Sequence, residues 1–115
     1  MRIRNANIYT EEHRFVRGDV AVENGRFVSC TGDSAGEEAV VDAEGMYLIP
    51  GLVDIHFHGC KGADMCDGTK EALDVITSYE ASVGVTSVCP ATMTIPKDEL
   101  LEVMKNAGSY EYSGG

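Results

Sequence analysis

The sequence predicts an α/β chain: a small antiparallel β region over residues 1–49, then two strand–helix units over residues 50–115. Three observations predict it. Short, weakly alternating apolar runs separated by Gly-containing turns fill the first stretch. After Pro50, two apolar strand-type runs alternate with two segments of helical periodicity. The loops joining these four segments are short, as in the βα units of a parallel sheet.

The elements follow in order. Residues 2–9 alternate weakly and read as a strand. Residues 18–23 lead into Asn24-Gly25, a strong two-residue hairpin signal, and residues 26–30 are the return strand. Residues 31–38 are small and acidic and read as a loop. Residues 39–43 and 46–49 are two further strands around Glu44-Gly45. The run 51–58 is a strand entered through the Pro50-Gly51 turn, and residues 59–68 are a Gly- and Asp-rich loop. Thr69 is a plausible N-cap for a helix over roughly 70–83, with Glu71 in its first turn. Ala72, Leu73, Ile76, Tyr79 and Val83 give that helix one apolar face, and Gly84 stops it. Residues 85–89 form a second buried-type strand ended by Pro90. A second helix starts near Pro96, carries Asp98 and Glu99 early, has Leu100, Val103, Met104 and Ala107 on one face, and ends at Gly108.

Composition narrows the function classes. A formal net charge of −10 argues against nucleic acid or an anionic membrane as partner, since both demand a basic patch. No run is long and apolar enough for a membrane span, and the N-terminus lacks the apolar core of a signal peptide. A cytoplasmic location is the default expectation. Cys30, Cys60, Cys66 and Cys89 show no Cys-x-x-Cys spacing, and a reducing compartment predicts four free thiols.

Chemistry concentrates in residues 49–59, Ile-Pro-Gly-Leu-Val-Asp-Ile-His-Phe-His-Gly. Side chains alternate along a strand, so Asp54, His56 and His58 share one face and Val53, Ile55 and Phe57 the other. Two neutral imidazoles projecting together can hold a divalent metal ion. His-x-His by itself is a short motif, and the plainer alternative is imidazoles that pack or face water. Two imidazoles also make a poor site alone, because catalytic zinc normally has three protein ligands. Asp54 has two readings: a group orienting an imidazole from behind, or a buried acid bonded to nearby backbone or hydroxyls. Cys60 and Cys66 flank this end; small buried or half-buried thiols are expected, metal ligands the alternative. Asp64 and Asp67 are expected to be solvated turn acids, His13 a surface residue, and Met65 and Met93 packing residues. The nearby glycines lack the following Lys-Ser or Lys-Thr of a phosphate cradle.

Residues 50–59 resemble the first barrel strand of the amidohydrolase superfamily, and residues 41–49 resemble the stretch that leads into it. More narrowly, residues 58–69 and 84–94 resemble the matching loop and second strand of N-acetylglucosamine-6-phosphate deacetylases. The resemblance covers nearly the whole chain. It implies a small β-sandwich segment (residues 1–49) followed by the first two βα units (50–115) of an incomplete (β/α)8 metal-dependent hydrolase barrel. It implies a divalent metal, zinc or iron, held through His56 and His58, with Asp54 behind them. The substrate it implies is a phosphorylated amino sugar, hydrolysed to glucosamine 6-phosphate and acetate by a cytoplasmic enzyme that is a homodimer at full length.

Complete members are several hundred residues long. Their metal-binding Glu, two further His ligands, general-base Asp and phosphosugar contacts have no counterpart in this sequence. No catalytic residue is therefore assigned here, and the chain alone is expected to be inactive. Some members lack the two strand-one His and use one metal; this sequence keeps both. The alternatives are another amidohydrolase, of dihydroorotase or D-amino-acid deacylase type, and a non-catalytic fragment.

Overall fold

The computed structural model describes residues 1–28 and 39–112. The chain forms two compact units, Met1–Pro50 and Gly51–Gly115.

The first unit is one five-stranded sheet. Strand β1 (Arg2–Tyr9) pairs antiparallel with β2 (Phe15–Glu23), which pairs antiparallel with β3 (Arg26–Val28). The β2–β3 turn is Asn24-Gly25, with φ of 50° and 72°. Both central residues thus take the left-handed conformation that a tight hairpin requires. The other edge of β1 carries β4 (Val40–Asp42) and β5 (Tyr47–Leu48) one after the other.

Here the structure corrects an expectation. The region is mixed, not antiparallel: β4 and β5 both run parallel to β1. The reason is chain direction. β3 points the same way as β1, and the chain next pairs on the opposite edge of β1 in that same direction, which makes a parallel ladder. Glu44-Gly45 is therefore a jog between two strands on one partner, not a hairpin turn. Asn5 and Arg17 brace the jog: the Asn5 amide donates to Asp42 at 3.0 Å, and Arg17 pairs with Glu44. The described residues of this unit form one sheet. β2 also begins earlier than expected, at Phe15, because residues 10–14 close a hairpin whose His13 has φ 56°. His13 is exposed and its Nδ1 lies 2.9 Å from the Tyr9 hydroxyl. The end of the expected return strand (residues 29–30) and the expected loop 31–38 lie outside the described residues.

The second unit reads strand, hairpin, helix, strand, helix. β6 (Leu52–Phe57) and β9 (Val85–Pro90) form a parallel pair, and α1 (Lys70–Ser82) lies between them in the chain. A parallel pair needs such a crossover. α2 (Lys97–Gly108) follows β9. Thr69 caps α1 as expected, its Oγ1 accepting from the Ala72 N–H at 3.2 Å. Residues 59–68 are more ordered than a loop. β7 (Gly59–Cys60) and β8 (Ala63–Asp64) form a hairpin turned by Lys61-Gly62, both at positive φ. A single 3-10 turn, Met65–Asp67, follows. Asp64 and Asp67 are caps rather than free acids: the Cys66 N–H donates to Asp64 at 2.7 Å and the Asp64 N–H to Asp67 at 2.8 Å. Met65, Leu73 and Val103 are the buried centre, with Ile95, Ala107 and Tyr110 packed around them.

Candidate metal centre

β6 brings the two imidazoles together. The rings of His56 and His58 lie 5.2 Å apart between centroids, tilted 84° to one another. His56 ends the exposed part of the strand and His58 is half-buried one residue beyond β6. Alternation puts them on one face, and Gly59 turns the chain away at once. Gly59 is required there, because a Cβ would lie 2.1 Å from the Ala63 carbonyl oxygen across the hairpin.

The His58 ring is oriented by backbone. Its Nδ1 lies 2.9 Å from the Ala91 carbonyl oxygen. A carbonyl can only accept, so Nδ1 carries the proton. The neutral ring then has its lone pair on Nε2, the arrangement in which a histidine ligates through Nε2. Ala91 is itself held, donating its N–H to the Phe57 carbonyl at 2.7 Å, and the Met65 N–H donates to the His58 carbonyl at 2.7 Å. Nothing in the sequence marks Ala91 or Met65 for this role. Both act through main-chain atoms that every residue carries; the only hint is the position of Ala91 just past the strand-ending Pro90.

Asp54 is half-buried, and its Oδ1 accepts from the His56 backbone N–H at 3.0 Å. This is the backbone-bonded arrangement rather than a carboxylate on an imidazole. Cys60 and Cys66 are half-buried free thiols, and Cys89 is an exposed one. The Cys60 Sγ lies 4.0 Å from the Ile76 carbonyl. Burial pushes its thiol pKa up, the Glu80 charge adds to this, and Lys61 opposes it; Cys60 is thus a poor thiolate. Among the described residues no three or more His, Cys, Asp or Glu side chains gather where they could hold a metal ion. The donor set fits part of a metal site: two imidazoles, one with its tautomer fixed.

No family model matches the chain. Among curated proteins, it is 33% identical over 67 residues to N-acetylglucosamine-6-phosphate deacetylase of Vibrio furnissii, 58% of this chain and 17% of that protein. It is 28% identical over 113 residues to N-acetylglucosamine-6-phosphate deacetylase of Bacillus subtilis, 95% of this chain and 28% of that protein. It is also 33% identical over 105 residues to dihydroorotase of Lactobacillus gasseri, 90% of this chain and 23% of that protein. In fold, it superposes on N-acetylglucosamine-6-phosphate deacetylase of Pasteurella multocida with a TM-score of 0.79 at 21% identity, covering 96% of this chain and 31% of that one. The chain thus spans less than a third of the length of each of these proteins.

Proposed function

We propose that this chain, which resembles N-acetylglucosamine-6-phosphate deacetylases over nearly its whole length, is part of a metal-dependent enzyme of that activity. In this reading residues 1–49 are a β-sandwich segment and residues 50–115 supply the first two βα units of a (β/α)8 barrel. The reaction breaks the amide C–N bond of N-acetylglucosamine 6-phosphate. Water supplies hydroxide to the acetyl carbon and a proton to the leaving amine, giving acetate and glucosamine 6-phosphate.

The observation that carries the proposal is the imidazole pair at the C-terminal end of a parallel strand, with His58 Nδ1 committed to the Ala91 carbonyl. The C-terminal strand ends are where (β/α)8 enzymes keep their active sites. His56 and His58 are the proposed ligands of a zinc or iron ion. Such an ion, when bound, polarises a carbonyl and lowers the pKa of water. This chain contributes the ligand geometry: Asp54 holds the His56 backbone, Ala91 holds the His58 ring, and Gly59 clears the strand end. No residue here is assigned as the general base, so the chain alone is proposed to be inactive. A cytoplasmic, homodimeric full-length enzyme that binds neither nucleic acid nor membrane completes the reading. No helix among the described residues is long and apolar enough to cross a membrane.

A dihydroorotase is the second reading, favoured by a match that covers 90% of the chain. The test compares the 115-residue chain with the longest product its gene encodes, each with added zinc or iron. Acetate release from N-acetylglucosamine 6-phosphate by the longer product only is expected. Dihydroorotate turnover without acetate release would transfer the assignment to the second reading. Turnover of the phosphosugar by the chain within about a hundredfold of the longer product would refute its inactivity, since a missing general base costs roughly 10²–10⁴.

A further inference from the structure

We infer that Cys66 is a positioning residue for the His58 imidazole, acting through a closed ring of hydrogen bonds. The inference gives a role in the proposed metal site, and so rests on that reading, to a thiol that is not a ligand. The ring can be traced from His58. Its carbonyl accepts from the Met65 N–H at 2.7 Å. The next residue, Cys66, accepts the Met93 N–H on its Sγ at 3.1 Å. Two residues back along the chain, the Ala91 carbonyl accepts from His58 Nδ1 at 2.9 Å, while the Ala91 N–H is fixed to the Phe57 carbonyl at 2.7 Å. The 3-10 turn that carries Cys66 is pinned independently, through the Cys66 N–H to Asp64.

The sulfur sits where the segment needs a tether. β9 ends at Pro90, and α2 begins only at Lys97. Between them Ala91 has one backbone bond at its N–H, and the carbonyl that reads His58 lies on its far side, in the peptide unit shared with residue 92. Fixing Met93 as well holds that peptide unit from both ends. This matters because an imidazole in water favours the Nε2–H tautomer, and only a well-placed acceptor at Nδ1 reverses the preference. A thiol is a weak acceptor, yet this one is half-buried and meets the Met93 N–H at 3.1 Å.

The experiment is ¹⁵N-histidine NMR on the metal-free 115-residue chain, with Cys66→Ala and Cys66→Ser. The unaltered chain is expected to show His58 in the Nδ1–H tautomer and a Met93 amide protected from solvent exchange. Cys66→Ala should mix the tautomers and expose the Met93 amide; Cys66→Ser, whose hydroxyl accepts the same N–H, should retain both signatures. An unchanged tautomer in Cys66→Ala overturns the inference, as does a serine variant that fails like alanine. If neither variant folds, a freely exchanging Met93 amide in the unaltered chain overturns it. Cobalt(II) titration separates this inference from the metal reading. Affinity is expected to fall roughly ten- to a hundredfold in Cys66→Ala, the usual effect of losing support behind a ligand. A tautomer change with unaltered cobalt affinity upholds the positioning role and removes His58 from the metal site.

Discussion

At His58, the location of one proton decides which ring nitrogen has a lone pair to offer a metal ion. The Ala91 carbonyl puts it on Nδ1 and leaves the lone pair on Nε2. The double substitution His56→Ala with His58→Ala is expected to lower zinc or iron content in the longest product that contains this chain. Metal analysis after desalting checks it, and undiminished metal would make both residues structural. Two glycines frame the same strand. A Cβ at Gly59 would meet the Ala63 backbone oxygen at 2.1 Å, and one at Gly51 would meet the Thr86 Oγ1 at 2.0 Å. Overpacking of this kind costs about 1–3 kcal/mol. Gly59→Ala should be the worse of the two, because its obstacle is backbone, which moves only by splitting the hairpin. Urea unfolding of both single variants, repeated in a Thr86→Ala background, tests this. The Gly51→Ala cost should shrink there and the Gly59→Ala cost should not.

At the scale of elements, α1 is held by its start and by one exposed face. Thr69→Ala removes the N-cap and is expected to cost about 1 kcal/mol, read as a shift in the urea midpoint at constant slope. Further along, Asp74 accepts from Lys70 at 2.6 Å and from the Tyr110 hydroxyl at 2.8 Å. The Lys70 bond, then the Tyr110 bond, hold the Asp74 carboxyl below its usual range. A carboxylate depressed in the folded state stabilises fully above its unfolded pKa of about 4, and the contribution fades as pH falls through the lower folded value. Thermal unfolding between pH 6 and 2 should therefore show an acid loss that Asp74→Asn reduces; an identical profile in that variant would discount the interaction. Lys70 is raised by the same bond, so its share is present below its unfolded value and is lost only as pH rises through the higher folded one. The small hairpin β7–β8 escaped the sequence reading because two-residue strands leave no alternation to see, and the first residue of its turn, Lys61, takes the left-handed conformation that Asn or Gly more often signals.

For the molecule as a whole, the balance between charge and apolar surface is the governing property. The chain carries a net charge of −10, which favours dispersion. It also exposes large apolar side chains on both units: Phe27 and Ile55 at 77%, Tyr47 at 68% and Val53 at 63%. Beside Phe27, an apolar hollow of about 460 Å³ is lined by Ile8, Val20, Leu48 and Ile49. Among the described residues of the first unit the buried ones are alanines, at positions 6, 21 and 43, so this sheet gains little from burying them. Exposed sheet faces and unpaired edges invite association. Sedimentation of the 115-residue chain is expected to show concentration-dependent association that strengthens with salt as charge repulsion is screened. Ile55→Lys should weaken it. A monomer at all concentrations and salt levels would contradict this.

Read alone, the sequence determined the local grammar. The type I′ hairpin at Asn24-Gly25, the Thr69 cap, the two helices and the two apolar strands all follow from short-range rules, because turn chemistry, capping and periodicity act within a few residues. Alternation likewise determined that His56 and His58 meet. Direction and partnership were decided only by the tertiary structure. Residues 39–49 read as two strands about a turn, yet whether they pair with each other or lie in succession along β1 depends on a strand more than thirty residues away. The same holds around the proposed metal ligands. The Ala91 carbonyl, the Met65 N–H and the Cys66–Met93 bond are contacts of main chain or of an unremarkable thiol across long loops. Every residue carries such backbone groups, so only the folded chain selects which of them face His58.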